Sequence, residues 1–335
     1  MRHNTASFML EIDGIDYAKE LVPRLMSLSF SEKLGEEADK LEITLSNHDG
    51  LLPTIKRGVD ARLALGWVAG PEVRVGMVEK GRFLVDQVEK SGPPDTLRIS
   101  ARSADLTGGF RRRRDRSWKD TTLGSVLGQI ASDNGYTARV QSDLASIAVP
   151  LIEQDAKSDA AFLRDLGARY DAIATVKDKV LLFLRVGASE NVGNEPFSAL
   201  VLRRRDGSRW SFRIADREEH DGAEAQWQDR SEARRKTVTE GKAENPKRIK
   251  RRFASEAEAR TAAAAEARRA ARGKYEFDYE MALGDPAIEP NVPVTLQGWD
   301  PEIDGIRWLV DEVEHRLEGG GGLGSRVKLV SLAER

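Results

Sequence analysis

Four consecutive arginines, Arg111 to Arg114, form the densest charge in the chain. Guanidinium groups in series can hold phosphate oxygens in pairs. A nucleic-acid backbone, however, needs many neutralising contacts and usually interleaved aromatics, and Asp105, Asp115 and Asp120 flank this run instead. A solvated or partner-pairing loop is the better reading. Two adjacent carboxylate pairs, Glu36-Glu37 and Glu218-Glu219, offer an acid and a base for glycoside hydrolysis. That chemistry requires carboxyls roughly 5 to 10 Å apart in a cleft, which neighbouring charges on a polar turn do not supply. The four histidines, His3, His48, His220 and His315, are too scattered for a histidine-rich metal site, and there is no cysteine. No nucleophile elbow, HExxH, Walker loop or dinucleotide fingerprint occurs. Gly319 to Gly322 precedes a strand pattern with no Lys-Ser/Thr, so it reads as a hairpin tip. No catalytic, cofactor-binding or metal-ligating residue is assigned, and no cofactor is expected.

Charged residues make up 32% of the 335 and nearly cancel, leaving a formal charge of -2. This balance gives no electrostatic reason for nucleic acid or a membrane surface as partner. The N-terminal MRHNTASFMLEIDG lacks the apolar core of a signal peptide. The longest wholly apolar run, Val180 to Leu184, is far short of the ~20 residues that cross a bilayer. A protein made soluble in the cytoplasm is expected.

The first ~110 residues alternate as β strands do. Phe8, Leu10 and Ile12 form one such set, followed by the Asp13-Gly14 turn. Met26, Leu28 and Phe30 form a second, Leu41, Ile43 and Leu45 a third, and Leu97, Ile99 and Ala101 another. The period then changes. Leu123, Val126, Leu127 and Ile130 mark one face of a helix, with Asp120 or Thr121 as its cap and Asn134-Gly135 as its end. Ser158 caps a second helix running to Tyr170, and Val180 to Val186 reads as a strand. Alternation resumes from Pro196 with Leu200 and Leu202, then Trp210, Phe212 and Ile214. The charged segment 215–252 is either disordered or a polar hairpin in which Ala223, Ala225 and Trp227 face Thr237 and Thr239. Ser255 to Arg272 is an alanine-rich helix with a Ser255/Glu258 capping box and Gly273 as its stop. Its alanines bury little apolar area but allow close approach to a neighbouring surface, so it reads as a surface strut of ~27 Å.

One nine-residue stretch occurs twice. RFLVDQVEK (82–90) and RWLVDEVEH (307–315) share six of nine residues. VDARLALGW (59–67) and VPVTLQGW (292–299) precede them, each an alternating run ending in Gly-Trp. A repeat of this kind sets the fold expectation: mainly β, with two related small β-barrel domains flanking a small α/β domain, plus the alanine-rich helix. The boundaries are 1–110, 111–190 and 191–335, with helix 255–272 inserted in the last. Leu84, Val85 and Val88 should correspond to Leu309, Val310 and Val313. Trp67, Phe83, Trp299 and Trp308 should fill the two cores.

LRISARSADLTGGF (97–110) followed by RSWKDTTLGSVLGQIASDNGY (116–136) resembles the late control D proteins of contractile-tailed phages. QDAKSDAAFLRDLGARYDA (154–172) is similar to that family's ESD-x-x-FL-x-x-L helix, with Lys157 where an acid is common. GDPAIEPNVPVTLQGW and DGIRWLVDEVEH resemble its C-terminal end, with Asn291 where glycine is frequent. The resemblance implies a non-enzymatic baseplate hub, similar to the N-terminal part of type VI secretion spike proteins. It implies a homotrimer whose six β-barrels form a pseudo-sixfold ring between a sixfold tail tube and a threefold central spike. Implied partners are the chain itself, spike and tube, with tape-measure and baseplate wedge proteins beyond, and no nucleic acid or membrane insertion. The implied place is the virion baseplate, assembled in the host bacterial cytoplasm. Some relatives add a lysozyme domain, for which no spare segment is seen. The competing reading from the carboxylate pairs is a tail-tip cell-wall hydrolase.

Overall fold

The computed structural model describes residues 3–35, 38–103, 110–177, 179–188, 200–214, 220–229, 232, 234–242, 244–320 and 322–332. Glu36-Glu37, Glu218-Glu219, Ala104 to Gly109 and the segment around Pro196 lie outside the described residues. The chain begins with β1 (Thr5–Ile12), β2 (Ile15–Asp16), α1 (Ala18–Leu21), β3 (Leu25–Lys33) and β4 (Lys40–Ser46). It continues through β5 (Asp60–Ala69), β6 (Gly76–Ser91) and β7 (Thr96–Ser103). These strands lie antiparallel in the order β3-β4-β7-β6-β5-β1-β2. The alternation read from the sequence is what they bury: Phe8, Leu10, Ile12, Leu28, Phe30, Leu41, Ile43, Leu97 and Ile99 form one cluster. Met26 departs from it and is 42% exposed. A register shift between Leu25 and Ser27 opposite β4 puts an extra residue in β3, and such a bulge turns its side chain off the pleat. Gly66 is required by close approach, because a Cβ there would lie 2.0 Å from the Gly76 carbonyl oxygen.

The middle unit comprises β8 (Arg113–Thr122), α2 (Leu123–Asp133), β9 (Thr137–Val140), α3 (Ser142–Ala145), β10 (Ala148–Ser158), α4 (Asp159–Tyr170), β11 (Ala172–Lys177) and β12 (Val180–Arg185). Both expected helices are present, and Ser158 Oγ accepts from Ala161 N as expected. The cap of α2 is Thr122, one residue beyond the candidates, because β8 runs straight into the helix and Thr122 Oγ1 accepts from Ser125 N. The arginine run is no free loop: Arg113 and Arg114 belong to β8, which pairs with β10. Neither strand shows a clean apolar alternation. The buried residues of α2 and α4 pack with Phe110, Leu181 and Phe183 in a cluster of their own.

The last third contains β13 (Leu200–Arg203), β14 (Gly207–Ile214), β15 (Gly222–Asp229), β16 (Arg234–Gly241), β17 (Pro246–Phe253), α5 (Glu256–Ala271), β18 (Tyr275–Met281), β19 (Pro293–Gln297), α6 (Pro301–Asp304), β20 (Trp308–Glu318) and β21 (Leu323–Ser331). Ser255 caps α5, but the Glu258 carboxylate accepts from Arg169 of α4. The helix is not a bare strut. Ala259, Ala262 and Ala263 are buried against Ala223, Ala225, Val238 and Phe253 of the β16-β15-β17 sheet. Methyl-sized side chains let helix and sheet come close. A β15–β16 pair forms as expected, but one residue out of the expected register: Ala223, Ala225 and Trp227 lie opposite Glu240, Val238 and Lys236, while Thr239 and Thr237 face Glu224 and Gln226, because the alanines turn to the face that α5 covers. Its third strand, β17, is parallel to β15.

Strands β14-β18-β21-β20 continue directly into β3, so the fold is mainly β, with one thirteen-stranded sheet joining both halves. Among the described residues no pairing closes either half into a barrel. The junction is β20 with β3, antiparallel over seven pairs from Glu312–Lys33 to Glu318–Ser27. Trp67 adds a tie, donating from Nε1 to the Gly284 carbonyl at 2.8 Å.

The expected core aromatics are in place, with Trp67 at 3%, Phe83 at 1% and Trp308 at 0% exposure. Trp308 meets Phe212 and Phe277 at ring distances of 6.3 and 5.6 Å. Trp308→Ala should therefore destabilise the fold by about 3–5 kcal/mol, read as a fall in the urea midpoint.

Candidate assembly interface

No group of three or more His, Asp and Glu side chains is placed to hold a metal among the described residues. His48 Nδ1 lies 3.2 Å from Ser46 Oγ at the surface, and His220 Nδ1 lies 3.2 Å from the Asn245 carbonyl. His315 is fully buried, with Nδ1 2.8 Å from Ser325 Oγ and its ring stacked on Phe30. A cleft of ≈ 420 Å³ lies between α4, α5 and the β20–β21 face. Its Asp171 carboxylate is already clamped by Arg272 and Arg268. No helix of the described residues is long and apolar enough to cross a membrane.

The residues that matched family signatures are structural staples. Asp159 is fully buried at the start of α4. Its carboxylate accepts from Arg116, from Gln154 Nε2 at 2.9 Å and from Asn134 Nδ2 at 2.8 Å. Arg114 Nε stands 3.5 Å away. Arg116 also reaches Asp133 at 2.6 Å and lies over the Trp118 ring at 5.1 Å. One carboxylate thus locks β8, α2, β10 and α4 together. A buried charge is tolerated only when paired and hydrogen-bonded in this way.

A second buried cluster sits where three parts of the chain meet. Glu32 of β3 receives Lys80 of β6 and Lys177 of β11, each at 2.9 Å, and Lys177 also reaches Asp39 at 3.2 Å. Burial works against the Glu32 carboxylate, but Lys177 and Lys80 outweigh it and hold the group below its usual range. For Asp39 burial wins: the attraction of Lys177 and, more weakly, of Lys80 does not offset it, Glu32 adds repulsion, and the carboxyl is pushed up to about 6. Burial and the nearby Lys80 push His315 down to about 3.

The two repeat copies occupy matching positions. Phe83, Leu84 and Val85 lie opposite Ser103, Arg102 and Ala101, and Trp308, Leu309 and Val310 opposite Ser331, Val330 and Leu329. The register then shifts at the same place, between Val85 and Gln87 and between Val310 and Glu312. The chain before each copy binds it identically: Gly58 N to the Val85 carbonyl and Asn291 N to the Val310 carbonyl. The match extends to β14–β18, whose register shift between Gly207 and Arg209 mirrors that between Leu25 and Ser27 in β3–β4. Leu84 and Leu309 differ in surroundings, at 40% and 0% exposure. Leu84 shares a face with Arg102. Leu309 shares one with Val330, which looks onto the middle unit across the cleft. The sequence did not reveal two strand edges without a partner strand among the described residues: β14 beyond β18, and β6 past Val85 on the side away from β7.

Two measurements test the buried charges. Asp159→Ala should cost on the order of 3 kcal/mol, because Arg116 and Gln154 lose a buried acceptor; urea unfolding followed by Trp fluorescence reads it. Asp39 and His315 have opposite pH signs. The raised Asp39 carboxyl contributes stability below about pH 3.8 that is lost as pH rises through about 6. The depressed His315 contributes stability above about 6.5 that is lost as pH falls towards about 3. Asp39→Asn removes only the first. The variant should gain on wild type by on the order of 2–3 kcal/mol between pH 4 and 7, seen in paired denaturation curves.

Comparison with known proteins agrees with this architecture. The profile of the family described as phage tail baseplate hub (GPD) matches residues 27–321. The chain is 34% identical to the "Probable baseplate hub protein" of Escherichia phage 186, over 96% of this chain and 93% of that one. In fold it is similar to a tail protein from Neisseria meningitidis MC58, with a TM-score of 0.70 at 10% identity over 97% and 96% of the two chains. It is also similar to the E. coli c3393 protein, a type VI secretion component described as structurally similar to the T4 tail proteins gp27 and gp5. There the TM-score is 0.54 at 13% identity, over 97% of this chain and 77% of that one. With a family match across most of its length and 34% identity to a probable baseplate hub protein, this mainly β chain belongs to the phage tail baseplate hub (GPD) family.

Proposed function

We propose that this baseplate hub is a structural, non-enzymatic homotrimer. Its three chains contribute six related β modules to a ring of pseudo-sixfold symmetry, seated on the sixfold tail tube at one rim and on the threefold central spike at the other. The observation that carries this reading is the repeated strand order. β3-β4-β7-β6-β5 in the first third recurs as β14-β18-β21-β20-β19 in the last, with two register shifts in equivalent places. A closed oligomer repeats its surface once per chain. Three chains with one module each present three like surfaces, whereas three chains with a duplicated module present six near-equivalent ones. That is what an adaptor between sixfold and threefold parts requires. The inferred division is 1–110 and 191–335 for the two β modules, with helix 255–272 inserted in the second, and 111–190 for the α/β unit between them.

In this reading the ring lies in the virion baseplate, assembled in the host bacterial cytoplasm. Tape-measure and wedge proteins lie beyond the immediate tube and spike partners. Similarity to the type VI component supports the same class of machine. Native mass spectrometry of the purified chain tests the reading. A species of three chain masses is expected, alone or on co-expression with the spike protein. A strict monomer at micromolar concentration under both conditions would refute it.

A further inference from the structure

The three-stranded sheet β16-β15-β17 has two faces of different chemistry. Alternation along a strand sends successive side chains to opposite sides. Ala223, Ala225 and Trp227 of β15, with Val238 of β16 and Phe253 of β17, turn to α5 and pack beneath its alanines. Cations on this inner side find acids within the chain. Lys247 reaches Glu266 of α5 at 2.6 Å, and Lys236 reaches Asp229 at 2.6 Å.

The opposite face is composed differently. Register places Thr239 and Arg248 beside Glu224, Thr237 and Arg252 beside Gln226, and Arg235 beside Gln228. Arg235, Arg248 and Arg252 are exposed, as is Lys250 where β17 shifts register against β15. Against these four cations the outward row of the three strands sets one carboxylate, Glu224, which takes Arg248 at 3.2 Å. A chain whose formal charge is only -2 thus concentrates cations on one small face. Like charges held close repel one another, and an arriving anion relieves that repulsion.

We infer that this outer face docks an acidic polypeptide segment of a partner protein. Arg235 and Arg252 stand on the two strands that flank β15, roughly 10 Å apart across the sheet. A segment laid along β15 therefore meets a guanidinium on either side. Each guanidinium can take a carboxylate through two parallel hydrogen bonds. Between them Gln226, Gln228 and Thr237 offer amides and a hydroxyl that suit the polar groups of a peptide. Nucleic acid fits this face less well. Its backbone asks for many neutralising contacts and its bases for aromatic platforms, whereas Trp227 and Phe253 lie on the α5 side. The inference goes beyond the proposed ring and holds for a hub of any copy number.

Fluorescence anisotropy of labelled poly-L-glutamate with the full chain tests the docking, alongside a labelled DNA duplex. The glutamate polymer should bind at low salt and be released as salt rises. Arg235→Gln/Arg252→Gln should weaken it about tenfold, and Glu224→Gln, which removes the opposing carboxylate, should tighten it. Arg111→Gln/Arg112→Gln removes the same charge from another exposed stretch and should leave binding unchanged. All four arginines are exposed, so the urea midpoints of these double variants should stay at the wild-type value. In hub carried by assembled tails, Lys250 should resist the acetylation it undergoes in the free chain, read by peptide mass spectrometry. No binding by the wild-type chain, or equal loss in the two arginine double variants, would overturn the proposal. Equal acetylation of Lys250 in free and assembled hub would do the same. Tighter binding of the DNA duplex, lost with Arg235→Gln/Arg252→Gln, would overturn the polypeptide and put nucleic acid in its place.

Discussion

Backbone amides and carbonyls along a strand must find partners wherever water is excluded, and β20 is the strand on which this demand shapes the whole chain. One of its edges is taken by β21. The other is shared end to end, first by β19 through Pro293 and Val294 and then by β3 through seven residue pairs. The register shift after Val310 makes the sharing possible, because it bends the strand where one neighbour leaves and the next arrives. Without that division the two halves would be separate sheets. With it, Leu317 and Leu323 of the last hairpin fill the core of the first third.

Buried ions fasten what the sheet does not reach. Asp159 holds the middle unit together internally, while Asp171 binds Arg268 and Arg272 and so ties α4 to the end of α5. Glu32 joins β3 to β6 and β11 through Lys80 and Lys177. Each carboxylate is enclosed and receives at least two cationic groups. A stripped pair of this kind adds little net stability compared with apolar packing, yet breaking it is costly. Such clusters therefore fix geometry more than they deepen the energy well.

Much of this was legible in the residues. Period-two alternation located the strands that bury Phe8, Leu28, Ile43 and Ile99, and the cap chemistry at Ser158 and Ser255 located α4 and α5. The duplicated RxLVDxVE segment identified the two equivalent strands. What escaped has physical causes. The β8–β10 pair alternates polar with polar, so its pattern carries no burial signal; its order comes from partners such as Asp159 that are distant in sequence. Met26 sits on a bulge, which breaks the period it appeared to continue. The alanines of α5 signalled a close approach to some neighbouring surface, but not that the surface is the β16-β15-β17 sheet. Which edges of β6 and β14 lack a partner strand among the described residues is a property of pairing, and no single strand's composition records it.

At the residue before each of the runs 59–67 and 292–299 that lead into the repeat copies, the backbone takes the same left-handed turn, with φ of 80° at Gly58 and 70° at Asn291. Glycine fits there at no cost, and asparagine is among the few residues that tolerate it. In the second copy the asparagine amide is employed: Oδ1 accepts from Gly187 N at 2.8 Å and Nδ2 donates to the Arg185 carbonyl at 3.1 Å. It moors the end of β12 to the later module, while Gly58 has no side chain to offer. A shared backbone geometry thus admits two residues, and the one chosen marks its copy for an attachment that the other lacks. Walking round the proposed ring, an observer would meet the same turn six times and a moored α/β unit at every second one.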